Sequence, residues 1–212
     1  FFSRSFSFSR TPCARVLLAA FVAMGAGCGD DDATPVDGGG FDAPAVDTGG
    51  GPMVSAQILD YLRGDRASSL TVEVDYATGT EITSEAQAHF VARLATVLDK
   101  PGGVTVQLDE VIPSHTDTPW ELDELRTLAA ERQTLDGGAD GTVLHLMFVD
   151  GRFTTRGVLG AALSATSIVI FRETIDQVCD SPSVLPLQRA SVCGAVEATV
   201  LLHETGHVIG LV

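Results

Sequence analysis

The stretch "GTVLHLMFVDG", residues 141–151, is a near-continuous apolar run with His145 in its middle. A strand with one wet face alternates apolar and polar residues, so a run apolar at successive positions expects cover on both faces. "SIVIF", 167–171, is a second run of this kind. "LTVEVDY", 70–76, alternates as a half-buried strand does, and "VTVQLDEVI", 104–112, supplies a further strand. Between the two long runs, "RFTTRGVLGAALSAT" is rich in small residues and has room for a short edge strand.

Helical periodicity separates these strands. "SEAQAHFVARLATVLDK", 84–100, places Phe90, Val91, Leu94, Val97 and Leu98 on one face, and Pro101-Gly102-Gly103 stops it. Ser84 with Gln87 three residues on reads as a capping box. "TPWELDELRTLAAERQTL", 118–135, offers Thr118 as cap, Pro119 at the first helical position and acids in the first turn. A last helix is expected from about Leu187 to Ile209. This order argues for an α/β (α+β) class, a mixed twisted sheet backed by helices with the last helix at the C-terminus. The segment shows no internal repeat.

The chain before residue 53 has a different character. Residues 1–28 carry Arg4, Arg10 and Arg15 with no acid, then the apolar run "VLLAAFVAMGAG" and Cys28. A basic start, a short apolar core and small residues make a secretory signal, too short for a membrane span of about 20 residues. The residues leading into Cys28 resemble a bacterial lipobox, although Gly25 stands where such a box usually has Leu. That resemblance implies lipidation of Cys28 and anchorage of an exported protein to the cell envelope, with plain secretion as the alternative. Residues 29–52 contain six Asp and seven Gly with no Lys or Arg, and read as a disordered tether. Calcium binding fits less well, because the aspartates lack the alternation and closing Glu of a calcium loop.

Composition narrows the function. Hydrophobic residues at 45% and charged ones at 19% suit a globular domain over 53–212. The net charge of −15 opposes nucleic-acid binding, which needs a basic face to neutralise phosphates. Cys179 and Cys193 are the only cysteines in the domain, and in an exported protein they most simply form a disulfide. No Cys-x-x-Cys, phosphate loop, dinucleotide fingerprint or Gly-x-Ser-x-Gly elbow is present.

The chemistry concentrates in "VLLHETGHVIGLV", 200–212. His203 and His207 are four apart, so on a helix they share a face and both imidazoles can reach one metal ion. Glu204 is rotated by about 100° from His203 and can reach a water on that metal without being a ligand. Zinc lowers the pKa of such a water toward about 7, and an adjacent carboxylate can take its proton. The plain alternative is a core helix whose two histidines only find hydrogen-bond partners.

"HETGHVIGLV", 203–212, resembles the metzincin-type zinc-peptidase motif, His-Glu-x-x-His-x-x-Gly-x-x-His or Asp. His203, Glu204, His207 and Gly210 match it one by one. It also resembles metallopeptidases anchored as bacterial lipoproteins. The resemblance implies Zn2+ as cofactor, His203 and His207 as ligands, Glu204 as general base, and Gly210 as the point where the chain turns out of the helix. It further implies a peptide substrate that adds as a strand along the edge near Gly157–Ala162, where the alternative is an ordinary glycine-rich loop.

The third ligand of such a motif would fall at position 213, one past Val212, and neither a methionine turn nor a lower subdomain is present, so the sequence is expected to be a piece of a longer reading frame. Upstream substitutes are poor. His89 reads as a surface residue, His145 as a sheet or core histidine, His115 as a loop residue, and Glu197 as solvent-facing or supporting. The expected function is a zinc-dependent endopeptidase acting on protein or peptide. The competing expectation is a surface lipoprotein that binds zinc or a partner without catalysis.

Overall fold

The computed structural model describes residues 54–115, 118–180 and 184–211. The expected signal peptide, Cys28 and the acidic tether lie outside the described residues. Five strands, β1 (Ser69–Ala77), β2 (Gly103–Ile112), β3 (Gly141–Val149), β4 (Gly160–Ala162) and β5 (Ser167–Phe171), form one sheet in the order β2-β1-β3-β5-β4. The first four in that order run parallel, and β4 lies antiparallel to β5 at the edge. Among the described residues five helices accompany it: α1 (Ala56–Leu62), α2 (Ser84–Val97), α3 (Leu122–Arg132), α4 (Arg172–Cys179) and α5 (Arg189–Val208). The class is α/β, with a mixed sheet backed by helices and α5 near the C-terminus.

Both faces of the sheet are covered, which is why residues 143–149 are apolar at every position but His145. Leu144, Leu146 and Phe148 of β3 share a core with Phe90 and Leu94 of α2 and with Ala198 and Leu201 of α5. Met147 and Val149 point the other way, into a second core with Leu125 and Ala129 of α3 and with Trp120. The chain travels from β1 to β2 through α2 and back past β1 to β3 through α3. Right-handed crossovers place helices on opposite faces when the direction of travel reverses, as α2 and α3 are placed here.

Several local expectations are corrected. Ser84 is the first residue of α2 and not its cap. Thr83 caps instead, its hydroxyl accepting from Ala86 N at 3.2 Å, and the helix stops at Val97 with Leu98 extended. The helix expected from Thr118 begins at Leu122, capped by Glu121 without a side-chain bond. Tertiary bonds hold the preceding residues out of it: Trp120 N donates to Arg152 O at 2.9 Å and its indole to Asp150 O at 2.7 Å, while the Thr118 hydroxyl meets His115 Nε2 at 3.0 Å. β1 is a central strand, so Glu73 and Asp75 are buried where alternation placed them at a wet face. Glu73 accepts from Thr134 N at 2.7 Å, and Asp75 meets His145 Nε2 at 2.9 Å. The short helices α1 and α4 have no counterpart in the sequence reading, and a 3₁₀ turn at Pro186–Gln188 precedes α5.

Candidate metal centre

α5 buries a stripe through Glu197, Ala198, Leu201, Thr205 and Val208, at the three- and four-residue steps that keep side chains on one face. His203 and His207 project from the exposed side. Gly210 follows the helix at φ +73, a region that favours glycine, and Leu211 N donates to Gly206 O at 2.9 Å while Gly210 N donates to His207 O at 3.4 Å. These two bonds form a Schellman motif, which satisfies the last carbonyls and turns the chain sharply out of α5.

The two imidazoles stand edge to face, ring centroids 4.7 Å apart, and their Nε2 atoms are 3.2 Å apart. Two nitrogens bound at about 2.0–2.1 Å to one tetrahedral zinc are separated by about 3.3 Å. The pair therefore has the spacing of two ligands as well as that of a hydrogen bond. Glu204, one residue on from His203, is 7% exposed. Burial raises its carboxyl above the ordinary glutamate value, against the opposing pull of His203, His207 and the Ala162 N–H. A carboxyl raised by burial holds a proton more readily than one in water.

The edge strand passes directly beneath. A Cβ built on Gly160 of β4 would lie 3.0 Å from Glu204 Cγ and from Val200 Cγ1 of α5. α5 is held in place from two further sides. The Glu197 carboxylate accepts from Arg172 Nη1 at 2.9 Å, from Thr83 N at 3.0 Å and from the Thr83 hydroxyl at 3.1 Å. Glu197 is therefore fully buried and ion-paired, which corrects the solvent-facing reading. A disulfide joins Cys193, in the first turns of α5, to Cys179 at the end of α4, with Cα atoms 5.4 Å apart.

The other histidines lie apart from this pair. His145 is enclosed in the sheet between Asp75 and Ser167, His89 is exposed on α2, and His115 stacks on Trp120 at 4.0 Å. Among the described residues, no group of three His, Cys, Asp or Glu side chains gathers where it could hold a metal ion. Also among the described residues, no helix is long and apolar enough to cross a membrane. Sequence reading missed Arg172 and Thr83 as anchors of α5 and Gly160 as the floor under Glu204. No local signal marks them, because each acts on a residue far away in the chain. Comparison with known proteins adds no relative: no family model matches the chain, and neither a curated protein nor a solved structure matches it significantly.

Proposed function

We propose that this chain carries the zinc-binding helix of a peptide-hydrolysing enzyme, exported and anchored through Cys28. The observation that supports this most is the His203–His207 pair, with Nε2 atoms 3.2 Å apart and the buried Glu204 carboxyl alongside. His203 and His207 would hold the ion through these nitrogens, with a further ligand from outside the described residues. Zinc bound there would make water a nucleophile at neutral pH and polarise the scissile carbonyl. Glu204 takes the proton from the attacking water on a carboxylate oxygen and returns it to the leaving amine nitrogen. The substrate backbone adds alongside β4, the half-buried antiparallel strand at the edge of the sheet next to Glu204.

The test is zinc content by elemental analysis of the purified domain from residue 53 and of any longer product of the gene, each beside His207→Ala. Stoichiometric zinc lost on substitution, followed by peptide hydrolysis abolished in Glu204→Gln, is the expected result. Zinc without hydrolysis would favour a metal-binding surface protein. No zinc in any form would reduce "HETGH" to a helix with two hydrogen-bonded histidines.

A further inference from the structure

We propose that Gly160 is a positioning residue for Glu204, and that its missing side chain sets where the carboxylate lies. This rests on the zinc-peptidase reading for its catalytic part and on packing alone for its structural part. A Cβ at Gly160 would meet Glu204 Cγ, Val200 Cγ1 and Val169 O, each at 3.0 Å. That is tighter than ordinary van der Waals contact on three sides at once. Val169 O belongs to the paired neighbour strand and cannot retreat without breaking the β4–β5 ladder. The give must therefore come from α5, and on α5 from Val200 or Glu204.

The backbone of Gly160 does not explain the glycine, because its φ is not positive. Its role is steric: Glu204 lies across the strand in the space that any side chain there would fill. The neighbouring strand residues, Ala161 and Ala162, are small as well, but the contact with Glu204 Cγ falls on Gly160. Through this contact the edge strand sets both the height of α5 over the sheet and the rotamer of the carboxylate. A displacement on the order of 1 Å in a catalytic group can cost about a hundredfold in rate.

Gly160→Ala separates this role from general packing. In the full-length product the zinc-loaded variant is expected to lose kcat severalfold with KM unchanged. The loss stays below the roughly hundredfold of a displacement of about 1 Å, because 3.0 Å contacts ask the neighbour to give by only a few tenths of an ångström. Zinc stoichiometry should stay at the wild-type value, since His203 and His207 project from the exposed side of α5 and the clash falls on buried Val200 and Glu204. Unchanged kcat in the zinc-loaded variant would overturn the positioning role, and so would loss of zinc, which would make Gly160 a support of the whole helix. If Gly160→Ala folds poorly, Gly160→Ala with Val200→Ala frees the helix side and carries the same comparison against Val200→Ala alone.

A second measurement does not depend on catalysis. The thermal penalty of Gly160→Ala is expected to be smaller by roughly 2–4 °C in a Glu204→Ala background than in wild type. Strictly additive shifts would overturn the contact itself. If the protein takes up no zinc, the peptidase reading falls, while this cycle still decides the Gly160–Glu204 relationship.

Discussion

Glu197 on α5 and Arg172 at the start of α4 form an ion pair at 2.9 Å, with the glutamate side chain fully buried and the arginine 11% exposed. Arg172 also donates to Thr80 O and Glu81 O, and its guanidinium lies 5.6 Å from the Phe148 ring centroid. One carboxylate thus joins α5 to α4 and to the N-terminus of α2, where negative charge also meets the positive end of the helix dipole. Breaking a buried pair from one side leaves an uncompensated charge. Glu197→Ala should therefore lower stability by about 3–5 kcal/mol in denaturant unfolding. A loss below about 1 kcal/mol, the value of an exposed pair, would show that the tie carries little.

The Cys179–Cys193 disulfide closes a loop between α4 and α5 with a sequence separation of 14. In the chain-entropy view this is worth about 3 kcal/mol. For a domain of this size, Cys193→Ser paired with Cys179→Ser should lower Tm by roughly 6–12 °C. Equal melting of the oxidised protein and the double variant would contradict it.

Tyr61 of α1 is buried, its hydroxyl donating to Val143 O at 2.6 Å. Burial pushes its pKa well above the ordinary 10.0. The folded state then holds the proton more tightly than the unfolded chain. The associated stability is complete below pH 10 and is lost as pH rises past that value. Tyr61→Phe should cost about 1 kcal/mol at pH 7 and flatten the alkaline fall between roughly pH 10 and 11. Parallel pH profiles for the two proteins would rule out this origin.

If His203 and His207 form a metal pair, zinc stabilises the folded state by mass action. At zinc a hundredfold above the dissociation constant the gain is about 2.7 kcal/mol. Melting curves of the full-length product with zinc and with chelator should differ by several degrees, roughly 5–10 °C, and coincide for His203→Ala. A zinc-dependent shift that survives in His203→Ala would place the metal elsewhere.

Much of the sheet was legible because its signals are local. The apolar runs at 141–151 and 167–171 read as covered strands from composition alone, and β3 and β5 fall inside them. The start of α3 was not legible. Thr118 and Pro119 have the chemistry of a helix start, but the indole and backbone bonds of Trp120 hold the chain extended until Glu121. Glu73 and Asp75 look like the wet positions of a strand. Only their partners Thr134 and His145, 61 and 70 residues away, make burial tolerable.

Residue order alone settles the features that repeat distance along one element controls. The four-residue step puts His203 and His207 on one face of α5, and a glycine at 210 permits the left-handed turn that ends it. The surroundings of that face come from tertiary packing. The floor of Gly160 under Glu204 and the grip of Arg172 and Thr83 on Glu197 join residues 25 to 114 positions apart. Hydrophobic periodicity specifies which side of an element is buried. It does not specify which distant side chain will meet it there, because that depends on strand order and helix placement across the whole sheet.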